Sequence, residues 1–318
     1  MPFRVLQKSL LVTTVAILLF ILPAHSQAKK RTAASPFRSI TVVSAPDAIV
    51  WIDGIRFGKT DKSGKLEIRT ISPGAHSLRI RADGFSEKSL PLSAAQRGIV
   101  NVDLINRAGE AELAYQEAER LTGVDREKSA HAYRTAIKLK ANYPEAYLGL
   151  ARVLSDAGEL GDAKIAAAAA RRLRPGYAEA SAVEGRIHKE NGEEAKAIAA
   201  FKRAITEGKG FQPEAYTGLG LLYKEKAEGF GGSGDFDNET ASYTESARNL
   251  KTAVKQLSGA PDTIIIYQIL GLIYERQKKY KEAIATYEEF LRIFPDSIEA
   301  TAVRSFIVQL QKDMPPQD

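Results

Sequence analysis

The sequence contains no cysteine, and several other chemically useful residues are scarce. Its 318 residues include one Trp, two Met and four His. The absence of cysteine excludes disulfide bonds, and it also excludes a lipoprotein anchor attached through an acylated cysteine. An exported chain of this composition must therefore depend on its packed cores for stability.

The common catalytic motifs are also missing. The sequence has no HExxH and no GxSxG, so zinc hydrolysis and nucleophile-elbow chemistry lack their minimum parts. His25 falls in the predicted leader, while His76, His131 and His188 fall in a predicted strand and in predicted helices. We predict a protein that is not an enzyme, with no catalytic, cofactor-binding or metal-binding residues. A hydrolase that uses a pair of carboxylates stays open, and it would need a polar cleft where they converge.

Acidic residues are absent from the start of the chain, where Asp47 is the first. The basic residues before it number six, and they account for the whole net charge of +6: Arg4, Lys8, Lys29, Lys30, Arg31 and Arg38. The basic character is therefore mainly a property of the leader and linker, which hold five of the six, and we predict no nucleic-acid partner.

The first 26 residues have the pattern of a secretory signal. Arg4 and Lys8 precede an apolar stretch over residues 10–22, which Ala24-His25-Ser26 follows at the expected cleavage position. We predict cleavage there, a linker over residues 27–36, and an exported protein that is periplasmic or associated with the cell surface. The alternative is an uncleaved anchor, although a spanning helix needs about 20 apolar residues. After cleavage no integral membrane span is expected.

Residues 37–105 show the alternating pattern of β-strands. Short runs rich in β-branched residues are separated by Asp-Gly, Ser-Gly and Pro-Gly pairs, which favour tight turns. The predicted strands cover 39–44, 49–52, 65–71, 77–82, 86–92 and 99–104. We predict a small antiparallel β-sandwich followed by an all-α part, which makes the chain a multidomain α+β protein.

Parts of this segment resemble the PEGA domain, a small surface-associated β-sandwich. The resemblance lies in residues 48–54, 58–61 and 72–85, where the Pro-Glu-Gly-Ala motif is replaced by Ser72-Pro73-Gly74-Ala75. It implies an extracytoplasmic binding or spacer role. A cell-wall glycan is therefore the alternative partner, with the repeats as a spacer. Trp51, the sole Trp, lies in a predicted strand and is expected in the core.

The rest of the chain repeats itself at a spacing of 34 residues. A first set of residues defines the pattern, and a second set at matching positions repeats it further along the chain. The first set is Tyr147, Leu150, Ala151, Leu154, Ala163, Ala170 and Pro175, and the second is Tyr267, Leu270, Gly271, Tyr274, Ala283, Tyr287, Phe290 and Pro295. These residues resemble the tetratricopeptide repeat, whose units are helix pairs. The predicted solenoid covers 106–313, with units at 110–143, 144–177, 178–212, 213–263 and 264–297, a capping helix, and a tail at 314–318.

The fourth unit contains a glycine-rich stretch, which we interpret as a flexible insertion over residues 226–242. Gly229, Gly231 and Gly234 satisfy G-x-G-x-x-G, but the stretch follows a predicted helix, whereas a dinucleotide site must follow a strand. Its acidic residues could offer oxygens to Ca²⁺, although the glycine and distal glutamate of a helix-loop-helix site are missing. Phe230 and Phe236 make it a possible contact loop.

In tetratricopeptide arrays the first helices line a concave surface that binds partners. The repeat spacing shows which residues of this chain match the positions that face that surface. We predict that seven of them bind a partner: Arg152, Arg186, Lys189, Leu221, Lys224, Gln268 and Leu272. The surface would change from basic to apolar along the array, which suits an extended peptide that is acidic and then hydrophobic. Ordinary solvated helix residues are the alternative interpretation. We predict an exported scaffold that binds protein partners in a bacterial cell envelope.

Overall fold

The structure, a computed structural model, describes residues 37–106 and 109–314. The predicted leader, the predicted linker and residues 315–318 of the predicted tail lie outside the described residues. The β part has seven strands: β1 (Arg38–Val43), β2 (Ile49–Ile52), β3 (Ile55–Lys59), β4 (Lys65–Ile71), β5 (His76–Arg81), β6 (Lys88–Leu92) and β7 (Gly98–Asn101).

The strands form two sheets, of order β4-β1-β7 and β3-β2-β5-β6. Alternate residues of both sheets point into one apolar core, in which Val42 of the first sheet and Leu78 and Ile80 of the second are fully buried. The predicted sandwich is confirmed, but it is not wholly antiparallel, because β1 pairs with β7 in parallel. The more specific resemblance to the PEGA domain stays a prediction.

Strand β3 was not predicted. Asp53 and Gly54 both have positive φ, 52° and 80°, and they form the two-residue turn of a hairpin that joins β2 to β3. The sequence signalled this turn correctly. The following residues, Ile55 to Lys59, alternate between apolar and polar only over the first three positions and contain Gly58, so they carry only a weak strand signal.

The helical part has eleven helices in the described residues. They are α1 (Glu110–Leu121), α2 (Arg126–Leu139), α3 (Pro144–Asp156), α4 (Leu160–Leu173), α5 (Ala178–Glu190), α6 (Glu194–Glu207), α7 (Pro213–Ser233), α8 (Phe236–Leu257), α9 (Thr263–Arg276), α10 (Tyr280–Ile293) and α11 (Ala300–Asp313). The first ten pack as five successive pairs, one for each predicted unit, and α11 packs against α10. The solenoid is therefore confirmed.

Small residues on first helices face large ones on second helices. Phe201 of α6 is 1% exposed and lies between Gly185 of α5 and Gly218 of α7, where any larger residue would collide with its ring. The spacing of 34 residues repeats this contact along the array. The repeat thus builds a continuous core from units too small to bury one alone.

The glycine-rich stretch is helical, so the predicted flexible insertion is wrong. Helix α7 continues through Gly229 and Gly231 to Ser233, Gly234 ends it with a left-handed φ of 80°, and the Asp235 carboxylate caps α8 by accepting from the backbone N–H of Asn238. The physical reason is packing, because α7 and α8 are lengthened together and contact each other closely, as at Gly231, where an added methyl group would lie 2.8 Å from Glu239 Cδ. Contact between the two helices outweighs the poor helix propensity of glycine.

The β part and the helical part belong to one compact unit. At the junction Arg81 of β5, only 4% exposed, forms ion pairs with Glu87 and, in α1, with Glu112 and Glu119. Its guanidinium also lies 4.4 Å from the centre of the Tyr115 ring. Burial acts to lower the pKa of Arg81, but the surrounding anionic groups outweigh burial and raise it. The β part is therefore seated on α1 by a buried cation.

Candidate partner-binding surface

The first helices of the repeats line one side of the array. Helices α1 and α3, α3 and α5, and α5 and α7 are in contact, and among the described residues no second helix is in comparable contact with the next one. The closer approach of the first helices makes their side the inner one. The seven predicted residues all lie on α3, α5, α7 and α9. We call the exposed side chains of these four helices the first-helix surface.

Arg152 is paired within the chain. Its guanidinium lies 2.5 Å from a carboxylate oxygen of Glu214, which is in the first turn of α7. Arg152 belongs to α3, so the ion pair passes over α5 and joins units that are not adjacent. Glu214 had not been predicted as part of the surface, because nothing in a 34-residue spacing relates it to Arg152.

The other predicted cations are also paired. Arg186 lies 3.3 Å from Asp156, and the Ser155 hydroxyl donates to Glu190 at 2.6 Å. Lys189 pairs with Glu225, and Lys224 pairs with Glu228, each at 2.6 Å. The surface over α3, α5 and α7 is therefore a set of neutralised ion pairs, and the prediction of a basic surface there is corrected. Partly exposed pairs of this kind contribute at most about 1 kcal/mol each.

The apolar end of the surface lies on α9. Leu272 is 57% exposed, and Ile265, two turns earlier on the same helix, is 56% exposed. Gln268 lies between them and is half-buried, as is Leu221 on α7. Ile265 had not been predicted, although a signal was present: Ile264, Ile265 and Ile266 are consecutive, and a helix with one buried face cannot bury all three.

Ile265 and Leu272 form an apolar stripe on α9, and three lysines without a carboxylate partner come after it in the chain. Lys278, Lys279 and Lys281 lie in the turn after α9 and at the start of α10, and in the part of the chain that the structure describes none of them has a carboxylate within 4 Å. Arg276, one turn beyond Leu272, is paired with Glu239 at 3.1 Å. Beyond the C-terminal end of α9, the exposed apolar residues are therefore followed by unpaired basic ones, an order that spacing had not predicted.

One group in the β part has the residue types of a catalytic triad. His76 Nδ1 lies 2.5 Å from Asp53 Oδ2, and His76 Nε2 lies 3.5 Å from Ser72 Oγ. However, Nε2 is only 2.9 Å from the Ser72 carbonyl oxygen, to which it must donate its proton. A nitrogen that donates there cannot take the hydroxyl proton, so the group ties two turns together and does not activate a nucleophile.

The remaining alternatives find no site in the described residues. Trp51 is 8% exposed, and the Arg79 guanidinium covers its ring at 4.1 Å, so the ring offers no platform for a sugar. Within residues 37–106 and 109–314, no group of three or more His, Asp or Glu side chains could hold a metal ion. No helix in those ranges is both long and apolar enough to cross a bilayer.

Comparison with solved structures finds several helical-repeat proteins. MamA is 22% identical, with a TM-score of 0.42 over 60% of this chain and 94% of MamA. TTC0263, a thermophilic TPR protein of Thermus thermophilus, is 17% identical, with a TM-score of 0.45 over 64% and 99%. YrrB, described as a TPR protein with an unusual peptide-binding site, is 18% identical, with a TM-score of 0.37 over 62% and 92%. At these TM-scores the similarities carry no argument about function.

Comparison of sequences is more specific. No curated protein matches the chain. Two models of the tetratricopeptide repeat match it, one over residues 148–215 and one over residues 265–297. These residues contain most of α3 to α6 together with α9 and α10, and the helix pairs found there have the architecture that the repeat requires. The chain therefore contains tetratricopeptide repeats over these two ranges, with a β-sandwich before them.

Proposed function

We propose that the protein is a scaffold that binds a protein partner through its first-helix surface. The observation that carries the proposal is the stripe on α9, where Ile265 and Leu272 expose more than half of their surface. Exposed large apolar side chains on one helix face favour an interaction site over a solvated surface. Solenoids commonly use such extended inner surfaces for binding.

The charges beside the stripe support a particular kind of partner. The unpaired Lys278, Lys279 and Lys281 suit carboxylates, so a segment with apolar side chains followed by acidic ones would be complementary. Over α3, α5 and α7 the partner would meet ion pairs. Because each of those pairs contributes little, a charged group of the partner can replace one member at small cost.

We also propose that the protein works outside the cytoplasm, in a cell envelope. The support is the sequence pattern of the leader, which lies outside the described residues. N-terminal sequencing of the exported product should give a start near Gln27. Recovery of the protein in a membrane fraction with Met1 retained would replace this proposal with an anchored protein.

The binding proposal is tested by charge substitution on the stripe. Ile265→Glu and Leu272→Glu should reduce by about tenfold the amount of a crosslinked partner recovered from envelope fractions, since each buries a charge against an apolar contact. The matched control is Ile165→Glu, because Ile165 is 70% exposed but lies on the second helix α4. Equal recovery with all three variants, at unchanged melting temperature, would contradict a binding role for α9.

A further inference from the structure

The β part contacts the far end of the solenoid as well as its first helix. The Thr70 hydroxyl of β4 donates to the carbonyl oxygen of Gly259, in the turn between α8 and α9, at 3.4 Å. The fit is close, because a methyl group built on Gly259 would lie 2.8 Å from Thr70 Cβ. Ile55 of β3 packs against the apolar cluster of α7 to α11, and the Arg292 guanidinium of α10 lies 5.5 Å from the centre of the Phe37 ring.

These contacts follow one edge of the array. Gly259 is in the turn that precedes the first helix α9, and Arg292 is near the end of α10, before the turn that leads to α11. Midway along the array, a methyl group built on Gly54 would lie 3.8 Å from Glu179 Oε1, in the first turn of α5. The sandwich therefore lies along the turns that precede the first helices, from one end of the solenoid to the other.

The two ends of this contact differ in strength. At α1, Arg81 is held by two carboxylates, and the Gln116 side chain accepts from the Gly84 N–H at 3.0 Å and donates to the Phe85 carbonyl at 2.9 Å. At the far end, the described residues contain no ion pair within 4 Å between the β part and α9, α10 or α11, and the hydrogen bond from Thr70 is long. The far contact is thus the one that opens more easily.

We propose that the β part is a clasp, fixed on the first repeat and held releasably on the last. Repeats of a solenoid contact mainly their neighbours, and the ion pair between Arg152 and Glu214 spans only three units, so the β part supplies the direct link between the first repeat and the last. With the far contact closed, the clasp sets the curvature of the solenoid and hence the width of its inner side. With the contact open, the last repeats move relative to the first ones.

The test uses the absence of cysteine, which allows spin labels to be placed without background. Ser89→Cys on β6 and Glu288→Cys on α10 place one spin label each at exposed positions. Double electron-electron resonance then measures the distance between the two labels in the full chain. We expect one narrow distance distribution. Adding Thr70→Trp, which forces a large side chain against Gly259, should produce a second maximum at longer distance.

Two comparisons make the result decisive. Ser39→Trp adds the same bulk at an exposed position of β1 and should leave the distribution narrow. A second label pair, Ser89→Cys with Arg134→Cys on α2, should stay narrow in Thr70→Trp, which shows that the sandwich remains folded and seated on the first repeat. A broad distribution in the parent chain, or an unchanged one in Thr70→Trp, overturns the proposal.

Discussion

Gly271 of α9 and Tyr287 of α10 are in direct contact, so close that a methyl group built on Gly271 would lie 2.3 Å from the ring carbons. The ring cannot swing aside easily, because the Tyr287 hydroxyl donates to Glu275 Oε1 at 2.6 Å and the side chain is 2% exposed. Burial is the main cause that raises the pKa of Tyr287 well above its usual value, and this hydrogen bond adds to the effect. The hydroxyl therefore stays protonated as a donor.

We expect Gly271→Ala to destabilise the protein by about 1–3 kcal/mol through overpacking, although alanine is the better helix former. Gly229→Ala is the control, since Gly229 is also helical but has open space where the methyl would lie. It should be neutral or stabilising by up to about 1 kcal/mol. Urea unfolding followed by circular dichroism measures both, and equal effects would contradict close packing at Gly271.

The helical structure of the glycine-rich stretch predicts a different pair of effects. Gly234→Ala should destabilise by about 1–3 kcal/mol, because Gly234 has a φ of 80° that alanine adopts only under strain. Gly232→Ala, two residues earlier within α7, should not destabilise. If residues 226–242 were a flexible insertion, neither substitution would matter, and chemical denaturation of the two variants separates these cases.

Breaking the seat on α1 should be costly. Arg81→Met leaves Glu112 and Glu119 without their cation in a buried setting, so we expect a loss of about 3–5 kcal/mol. Arg79→Met is the control, because Arg79 is 28% exposed, its ion pair is with Glu87, and methionine can still cover the Trp51 ring, for an effect of about 1 kcal/mol or less. Calorimetric melting gives both values, and a similar small effect for the two would show that the buried cation does not stabilise the junction.

The acid limb of stability should depend on Glu193. Hydrogen bonds from Lys196 and then His188 hold the pKa of Glu193 well below its usual value. A lowered pKa in the folded state stabilises the protein above the unfolded-state pKa, about 4.3, and this contribution is lost as the pH falls below that value. Glu193→Gln should therefore flatten the fall in stability below that pH. Glu288→Gln, at an exposed position on α10, should follow the parent curve.

The ion pair between Arg152 and Glu214 should be weak enough for a charged group of the partner to replace one of its members. The two side chains are 39% and 32% exposed, so a double-mutant cycle with Arg152→Ala and Glu214→Ala should give a coupling energy of about 1 kcal/mol or less. A coupling energy several times larger would show that the pair holds α3 to α7. In that case the first-helix surface would not offer its charges to a partner.

Much of the fold could be predicted from the sequence, because equivalent positions of a repeat recur at a regular spacing. The spacing placed every helix pair, since the contacts between Gly271 and Tyr287 and between Gly185 and Phe201 come from residues close in sequence. The repeat spacing could not predict the ion pairs, because Arg152 and Glu214 are 62 residues apart and meet only through the curvature of the array. The helical form of the glycine-rich stretch was also missed, because composition does not reveal that two lengthened helices pack against each other.

The parallel pairing of β1 with β7 has a mechanical consequence. The chain enters the sandwich through β1 and leaves it through β7, and parallel neighbours put the entry and the exit at opposite ends of the sheet. Tension applied between residues 37 and 106 therefore acts along the strands, and it loads the hydrogen bonds of this ladder together, in shear, instead of unzipping them one at a time. The β part is built to carry a pulling force in series between whatever holds the N-terminus and the repeats.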